Sequence, residues 1–272
     1  HTSWYNETLN TSTRGSRNEF PAVAVIVADA AADTVTIYDG DDPDLPMWMV
    51  FTAKEYASSG PLFTFWGTSA TGNVACVSAI NGIVSCGVNG GSSSGQYAGL
   101  ASANFISDDG HAIRNYLGQN IIFTLPLSKR NQSDYNAYGI TTTGNGLVGG
   151  NVNDVAMTVL PNAPIDAATG LPVPTIAVAT NGGVSVIKDD GTVVDITASG
   201  YTVSSDITFT DDDKLLFNLD NAAGKSRYFH VHDIPSADRS TGAQGYQKGN
   251  ALEFYTAREE SDADLYLMQP LA

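Results

Sequence analysis

The sequence is short of cations. Thirteen Lys and Arg stand against 29 Asp and Glu in 272 residues, a formal net charge of −16. Such a balance excludes general affinity for nucleic acid or anionic lipid, since both require a positive face. Charged residues of both signs make up only 15% of the chain, against roughly 25% in an average soluble domain. That argues against coiled coils, long solvated helices and charged disordered tails, all of which draw on Glu, Lys and Arg. Two cysteines are too few for a disulfide framework. The longest apolar run, residues 20–32 (FPAVAVIVADAAA), carries Asp29. It falls short of the roughly 20 residues of a bilayer span, so no membrane insertion is expected. No basic stretch leads into an apolar core after His1, so no signal peptide is visible. The apolar end ADLYLMQPLA has the look of a strand cut in the middle, and the chain reads as an excised segment of something longer.

Turns are what the sequence has in abundance. Residues 23–27 (VAVIV) lead into 34–38 (TVTIY), and the acidic turn 39–44 (DGDDPD) leads into 47–51 (MWMVF). Three β-type runs in about thirty residues leave no room for a crossover helix, so they form an antiparallel meander. The unit returns. Residues 74–77 and 83–88 flank Asn81-Gly82, and 100–106 follow; 175–179 and 184–187 flank Asn181-Gly182-Gly183, and 192–196 follow Asp189-Asp190-Gly191. Last come 207–209, 215–219 and 227–232. Asn-Gly and Asp-Gly between β-branched runs are the strongest short-range hairpin signal. Meanders recurring every forty to fifty residues predict an all-β fold, a β-propeller of about five to seven blades, because one small sheet cannot bury both of its faces alone. A β-sandwich is the alternative. The polar residues 1–19 read as a lead-in or closing edge strand, and 20–272 as the propeller domain. Residues 128–151 read as a long loop with one strand at most, and 236–250 as another loop; long loops on a repeat scaffold are where binding usually sits.

Few residues carry a chemical signature. Asp39, Asp41 and Asp44 alternate in the acidic turn and are candidate calcium ligands, as hard oxygens suit that ion; the competing reading is a solvated turn, because Asp suits tight turns. His230 and His232 fall on one face of a strand and, with Asp233, are a zinc candidate lacking a third ligand at a supporting spacing. Cys76 and Cys86 flank the Asn81-Gly82 turn, where either a cross-hairpin disulfide or two free buried thiols is possible. No G-x-S-x-G elbow, triad context or phosphate-cradling glycine loop occurs. Ser107-Asp108-Asp109-Gly110 is a poor match to the Asp-box of sialidase propellers. Sequons stand at Asn6, Asn10 and Asn131, and Trp66, Tyr97, Tyr116, Tyr135, Tyr138, Tyr201 and Tyr246 fall in or beside loops, where aromatics stack on sugars or anchor partners.

Four segments carry a resemblance: residues 20–51 (FPAVAVIVADAAADTVTIYDGDDPDLPMWMVF), 77–87 (VSAINGIVSCG), 152–197 (VNDVAMTVLPNAPIDAATGLPVPTIAVATNGGVSVIKDDGTVVDIT) and 205–217 (SDITFTDDDKLLF). Together they resemble a family of long bacteriophage and prophage virion proteins, the tail or tail-fibre structural proteins. The resemblance covers somewhat over a third of the chain, and the 152–197 segment is its specific part. It implies a non-enzymatic virion protein on the extracellular face of the tail, with no catalytic residues and no required cofactor. Expected partners are other virion tail proteins or a host-surface glycan or protein. Two other readings stand beside this one: a propeller glycosidase or polysaccharide depolymerase, and a bacterial cell-surface binding propeller.

Overall fold

A computed structural model of the chain describes residues 3–9, 14–52, 73–89, 98–123, 125–131, 139–220, 227–241 and 253–255. Eighteen strands appear among them. The first sheet is β1 (Ala24–Asp29), β2 (Thr34–Asp39) and β3 (Met47–Thr52). The second is a six-stranded meander of β4 (Asn73–Ile80), β5 (Ile83–Asn89), β6 (Gly99–Asn104), β7 (Asp109–Ile113), β8 (Gln119–Phe123) and β9 (Gly139–Thr143). The third runs β10 (Val152–Thr158), β11 (Thr175–Thr180), β12 (Gly183–Ile187) and β13 (Val193–Ala198). The fourth holds β14 (Ile207–Phe209), β15 (Leu215–Asp220) and β16 (Arg227–His232). The chain then returns: β17 (Arg239–Thr241) joins the third sheet, parallel to β13, and β18 (Glu253–Tyr255) closes the fourth beside β16. The described helices are single 3-10 turns, Ser3–Asn6, Tyr116–Gly118 and Leu127–Lys129.

Period-2 alternation of side chains decides how the sheets stack. On β5, Val84, Cys86 and Val88 face the first sheet, where they meet Val35, Ile37, Met49 and Phe51. The intervening Ser85 and Gly87 face the other way. On β11, Ile176 and Val178 pack towards the second sheet, while Ala177 and Ala179 pack with Val184, Val186, Leu215 and Phe217 towards the fourth. The second and third sheets are therefore covered on both faces, which is why the TIAVAT run has no polar alternation; the VAVIV run belongs to the first sheet, and its Val23, Val25 and Val27 are exposed. The first strand of each sheet lies beside the first strand of the next, β1 by β4, β4 by β10 and β10 by β14. Two of those junctions carry an aspartate: Val74 N–H donates to Asp33 at 3.3 Å, and Ile207 N–H to Asp154 at 2.9 Å.

Among the described residues the architecture is all-β with four sheets, none closed on itself. The hairpin signals hold. Asn81 and Gly82 have φ of 50° and 74°, the left-handed pair of a two-residue type I′ turn, and Ile80 faces Ile83 across it. The expected three- or four-stranded unit fails for the second sheet, which has six strands. Its β7 and β8 sit on a polar seam, where Ser85 Oγ and Ser102 Oγ are 2.8 Å apart, Ser102 pairs with His111 in register, and His111 Nε2 meets Asn120 Oδ1. Such a row has no hydrophobic period to read.

The lead-in is part of the core. Trp4 lies edge-on to Trp48 and Phe105, with ring centroids 5.4 and 5.7 Å away, and its indole N–H donates to Phe105 O at 2.9 Å. Arg14 bridges to Met49 and is fully buried. The 236–250 loop supplies β17, and the 128–151 stretch supplies β9.

Candidate binding surface

The acidic turn after β2 is already occupied by a cation of the chain's own. Arg17 Nη1 donates to Asp39 at 2.8 Å and to Asp41 at 2.6 Å. Asp41 also accepts the Ala22 and Val23 N–H groups, at 2.8 and 3.1 Å. The Arg17 bond, then the Ala22 amide, hold the Asp41 carboxyl below its usual range. The Asp44 amide donates to Asp42 at 3.0 Å, so the next carboxylate of the turn serves the backbone as well. Calcium at Asp39, Asp41 and Asp44 would have to compete with Arg17, a residue supplied by the lead-in. Among the described residues no group of three or more His, Cys, Asp or Glu is arranged to hold a metal.

His230 and His232 do share a face, and it is the buried one. Phe217 lies opposite His230 in register and stacks on both imidazoles, at centroid distances of 5.2 and 6.0 Å. Burial drives His230 down to about 4 and lowers His232 as well. Arg239 Nη1 lies 3.1 Å from His232 Nδ1. A guanidinium has no lone pair to offer, so it donates, and His232 is the Nε2–H tautomer. The lone pair a metal would use is taken.

The two cysteines are free and point to opposite sides of the second sheet. The two-residue turn sets Val77 opposite Cys86 and Cys76 opposite Gly87, and a bulge follows only between Val74 and Cys76. Cys86 thus enters the core shared with the first sheet, and Cys76 the one shared with the third. Burial pushes Cys76 up to about 12 and Cys86 well above the ordinary thiol value. Both thiols are therefore expected to resist a water-soluble disulfide reagent in the native protein and to react within the dead time after denaturation; two-thiol reactivity without denaturant would contradict this placement.

Other sequence candidates prove structural. Asp108, in the Asp-box-like turn, accepts Ser3 Oγ at 2.8 Å and Leu127 N–H at 3.0 Å, tying lead-in, second sheet and 3-10 turn together. Asn131 of the third sequon accepts from Thr52 N–H at 2.9 Å and donates to Val50 O at 3.1 Å, so its amide is engaged with β3. Ser102 and His111, neighbours in register, hydrogen-bond elsewhere, to Ser85 and Asn120, and the serine is not handed to the imidazole. Tyr201 packs against the core between third and fourth sheets, and Tyr116 is half-buried. Trp66, Tyr97, Tyr135, Tyr138 and Tyr246 lie outside the described residues.

Two open concavities lie where the third and fourth sheets turn. A recess of about 320 Å³ is lined by Leu160, Pro161, Asn162, Asp189, Asp213, Asp233 and Ile234. Next to it, sharing Asp213, a groove of about 500 Å³ runs along β10 and β14 and reaches Ser78 of β4. Its polar side chains are Ser78, Thr158, Thr208, Thr210, Asp211 and Asp213. Hydroxyls, strand amides and carboxylates in a shallow trough can hydrogen-bond polyhydroxylated or cationic groups. The turns were legible in the sequence as Asp-rich; their meeting across two sheets was not. No family model matches the chain, and no curated protein matches it.

Proposed function

We propose that the chain is a non-enzymatic structural and adhesion module of a bacteriophage tail, a propeller-like scaffold that presents its turn-end surface to a host-surface glycan or protein or to another tail protein. The observation that carries this reading is the serial stacking of four sheets through adjacent first strands. A two-sheet sandwich has one covered face per sheet, whereas the second and third sheets here have two. Such stacking supports radial blades, with turns collected on rims and the side chains between sheets used for packing. The four virion-like segments fall on β1 to β3, the β4–β5 hairpin, β10 to β13 and β14 to β15, and the last two also carry the turns with Asp189, Asp211 and Asp213 that line the concavities. A surface poor in lysine and rich in carboxylates suits a soluble exterior particle.

Surface polysaccharides of candidate hosts and isolated tail proteins, immobilised in parallel, are expected to retain the chain saturably. Asp189→Asn with Asp213→Asn should weaken that retention without changing the melting temperature. Absence of binding to every polysaccharide, host cell and tail protein would overturn the adhesion reading. One observation favours a second reading: Asp189, Asp213 and Asp233 line the same recess, and paired carboxylates are what a glycosidase or depolymerase uses. Oligosaccharide release abolished by the same double substitution would establish that reading instead.

A further inference from the structure

We propose that His230, His232 and Arg239 form an acid-released latch that fastens the strap of residues 233–241 across the third and fourth sheets. The strap leaves the end of β16 and delivers β17 to the edge of β13, so it adds a second tie between two sheets that meet through apolar packing and, at the β10–β14 junction, the Asp154 bond to Ile207. It is held by Ile234 packed on the core, the short parallel ladder from Ile196 to Ala198, the Thr197 hydroxyl donated to Arg239 O at 3.5 Å, the Asp195 N–H donated to Asp238 at 3.0 Å, and the Arg239 guanidinium on His232. Only the last depends on an imidazole lone pair. His232 is buried, its ring is 6.1 Å from that of His230, and Phe217 lies against both. A proton on His232 removes the acceptor of Arg239 and sets two cations side by side; a second proton, on His230, adds a third.

The neighbouring charges do not cancel this. On the strand itself Asp233 favours a charged His232, but burial and Arg239 outweigh it. Arg227 begins the same strand, opposite Asp220 of β15, and Lys214 precedes β15. Glu253 of β18 pairs with His230 in register. The third sheet presents Ala177, Ala179, Val184, Val186, Val194 and Ile196 to this core, all uncharged. The sign is therefore fixed. His232 is neutral when latched, its value lowered by burial and by Arg239. Once released it protonates at the ordinary value near 6.5. The latched state is fully stable above that value and weakens as the pH falls through the window from 6.5 to the lowered value of His232.

Hydrogen exchange of the intact chain, corrected for intrinsic rates across a pH series, reads this directly. Protection of residues 239–241 should fall about tenfold per pH unit for each imidazole released, within that window, while β11 and β12 keep theirs. Arg239→Gln should remove the same protection at neutral pH. His230→Phe with His232→Asn, which keeps the stacked ring and an acceptor but no titrating group, should hold the strap down to pH 4.5. If that variant fails to fold, the wild-type imidazole resonances decide: His111, His230 and His232 should titrate below the ordinary value, and the latch requires His232 to be among them. Ordinary titration of His232, strap protection independent of pH, or its loss only together with β11 and β12, would each overturn the latch.

Discussion

Arg14→Ala is expected to destabilise the protein by about 3–5 kcal/mol, a drop in melting temperature on the order of 10 °C for a chain of this length. Arg14 is fully buried, and its guanidinium serves no carboxylate. Nη1 donates to Trp4 O, and Nη2 donates to Arg17 O at 3.0 Å and to Asn18 O. Its carbon lies 5.5 and 5.7 Å from the rings of Trp4 and Trp48. Burial lowers its pKa and nearby Glu7 pushes it back up. An apolar substitute cannot compensate, because the acceptors are backbone carbonyls that no mutation removes: Trp4 O keeps only the long Glu7 amide bond, Arg17 O keeps the Trp48 indole, and Asn18 O loses the guanidinium at a cost of about 1–3 kcal/mol. Arg14→Lys should recover little, since a point ammonium cannot span carbonyls arranged for a planar fork. Calorimetry checks the series; a lysine variant as stable as wild type would contradict this account.

Trp48→Ala should cost a comparable amount, about 3–5 kcal/mol. Trp48 is buried among Trp4, Phe20 and Phe105, with ring centroids 5.4, 5.1 and 5.7 Å away. Its indole N–H also reaches Arg17 O at 3.2 Å. Trp48→Phe keeps the edge-to-face packing and loses that bond and part of the volume, so it should cost about 1–2 kcal/mol. Because Arg14 lies over the same ring, the two sites should not be additive. The double variant Arg14→Ala with Trp48→Ala is expected to fall short of the sum by about 0.5–3 kcal/mol. Strict additivity, measured by denaturant unfolding, would mean that lead-in and first sheet do not share one core.

These residues also mark where sequence reading stops. Hairpins closed by Asn81-Gly82 or Asp190-Gly191 were legible because turn chemistry and strand period agree within a dozen residues. Arg14 was not, since a lone cation in a polar stretch reads as solvated until tertiary contacts bring three carbonyls to it. β7 and β8 were missed because Asp109, Gly110, His111, Gln119 and Asn120 break the apolar alternation by which a strand is read. β17 is three residues, Arg-Ser-Thr, that become a strand only against β13. At the candidate surface, composition gave the acidic turns. It could not give the Arg17 contact with Asp39 and Asp41, which spans 22 and 24 positions of chain. Nor could it give the approach of Asp189, Asp213 and Asp233. The cysteine question turned on the length of one turn: the two-residue loop sets Cys86 opposite Val77, whereas a three-residue loop centred on Asn81 would have set it opposite Cys76.

The central claim is binding without turnover. The measurement that tests it most directly incubates the chain with each polysaccharide that retains it and follows new reducing ends over many hours, with calcium and with chelator. The account predicts saturable retention, unchanged polymer length and no effect of chelator, since Arg17 already holds Asp39 and Asp41. Steady release of oligosaccharides, lost when Asp189 and Asp213 are both made asparagine, would contradict it.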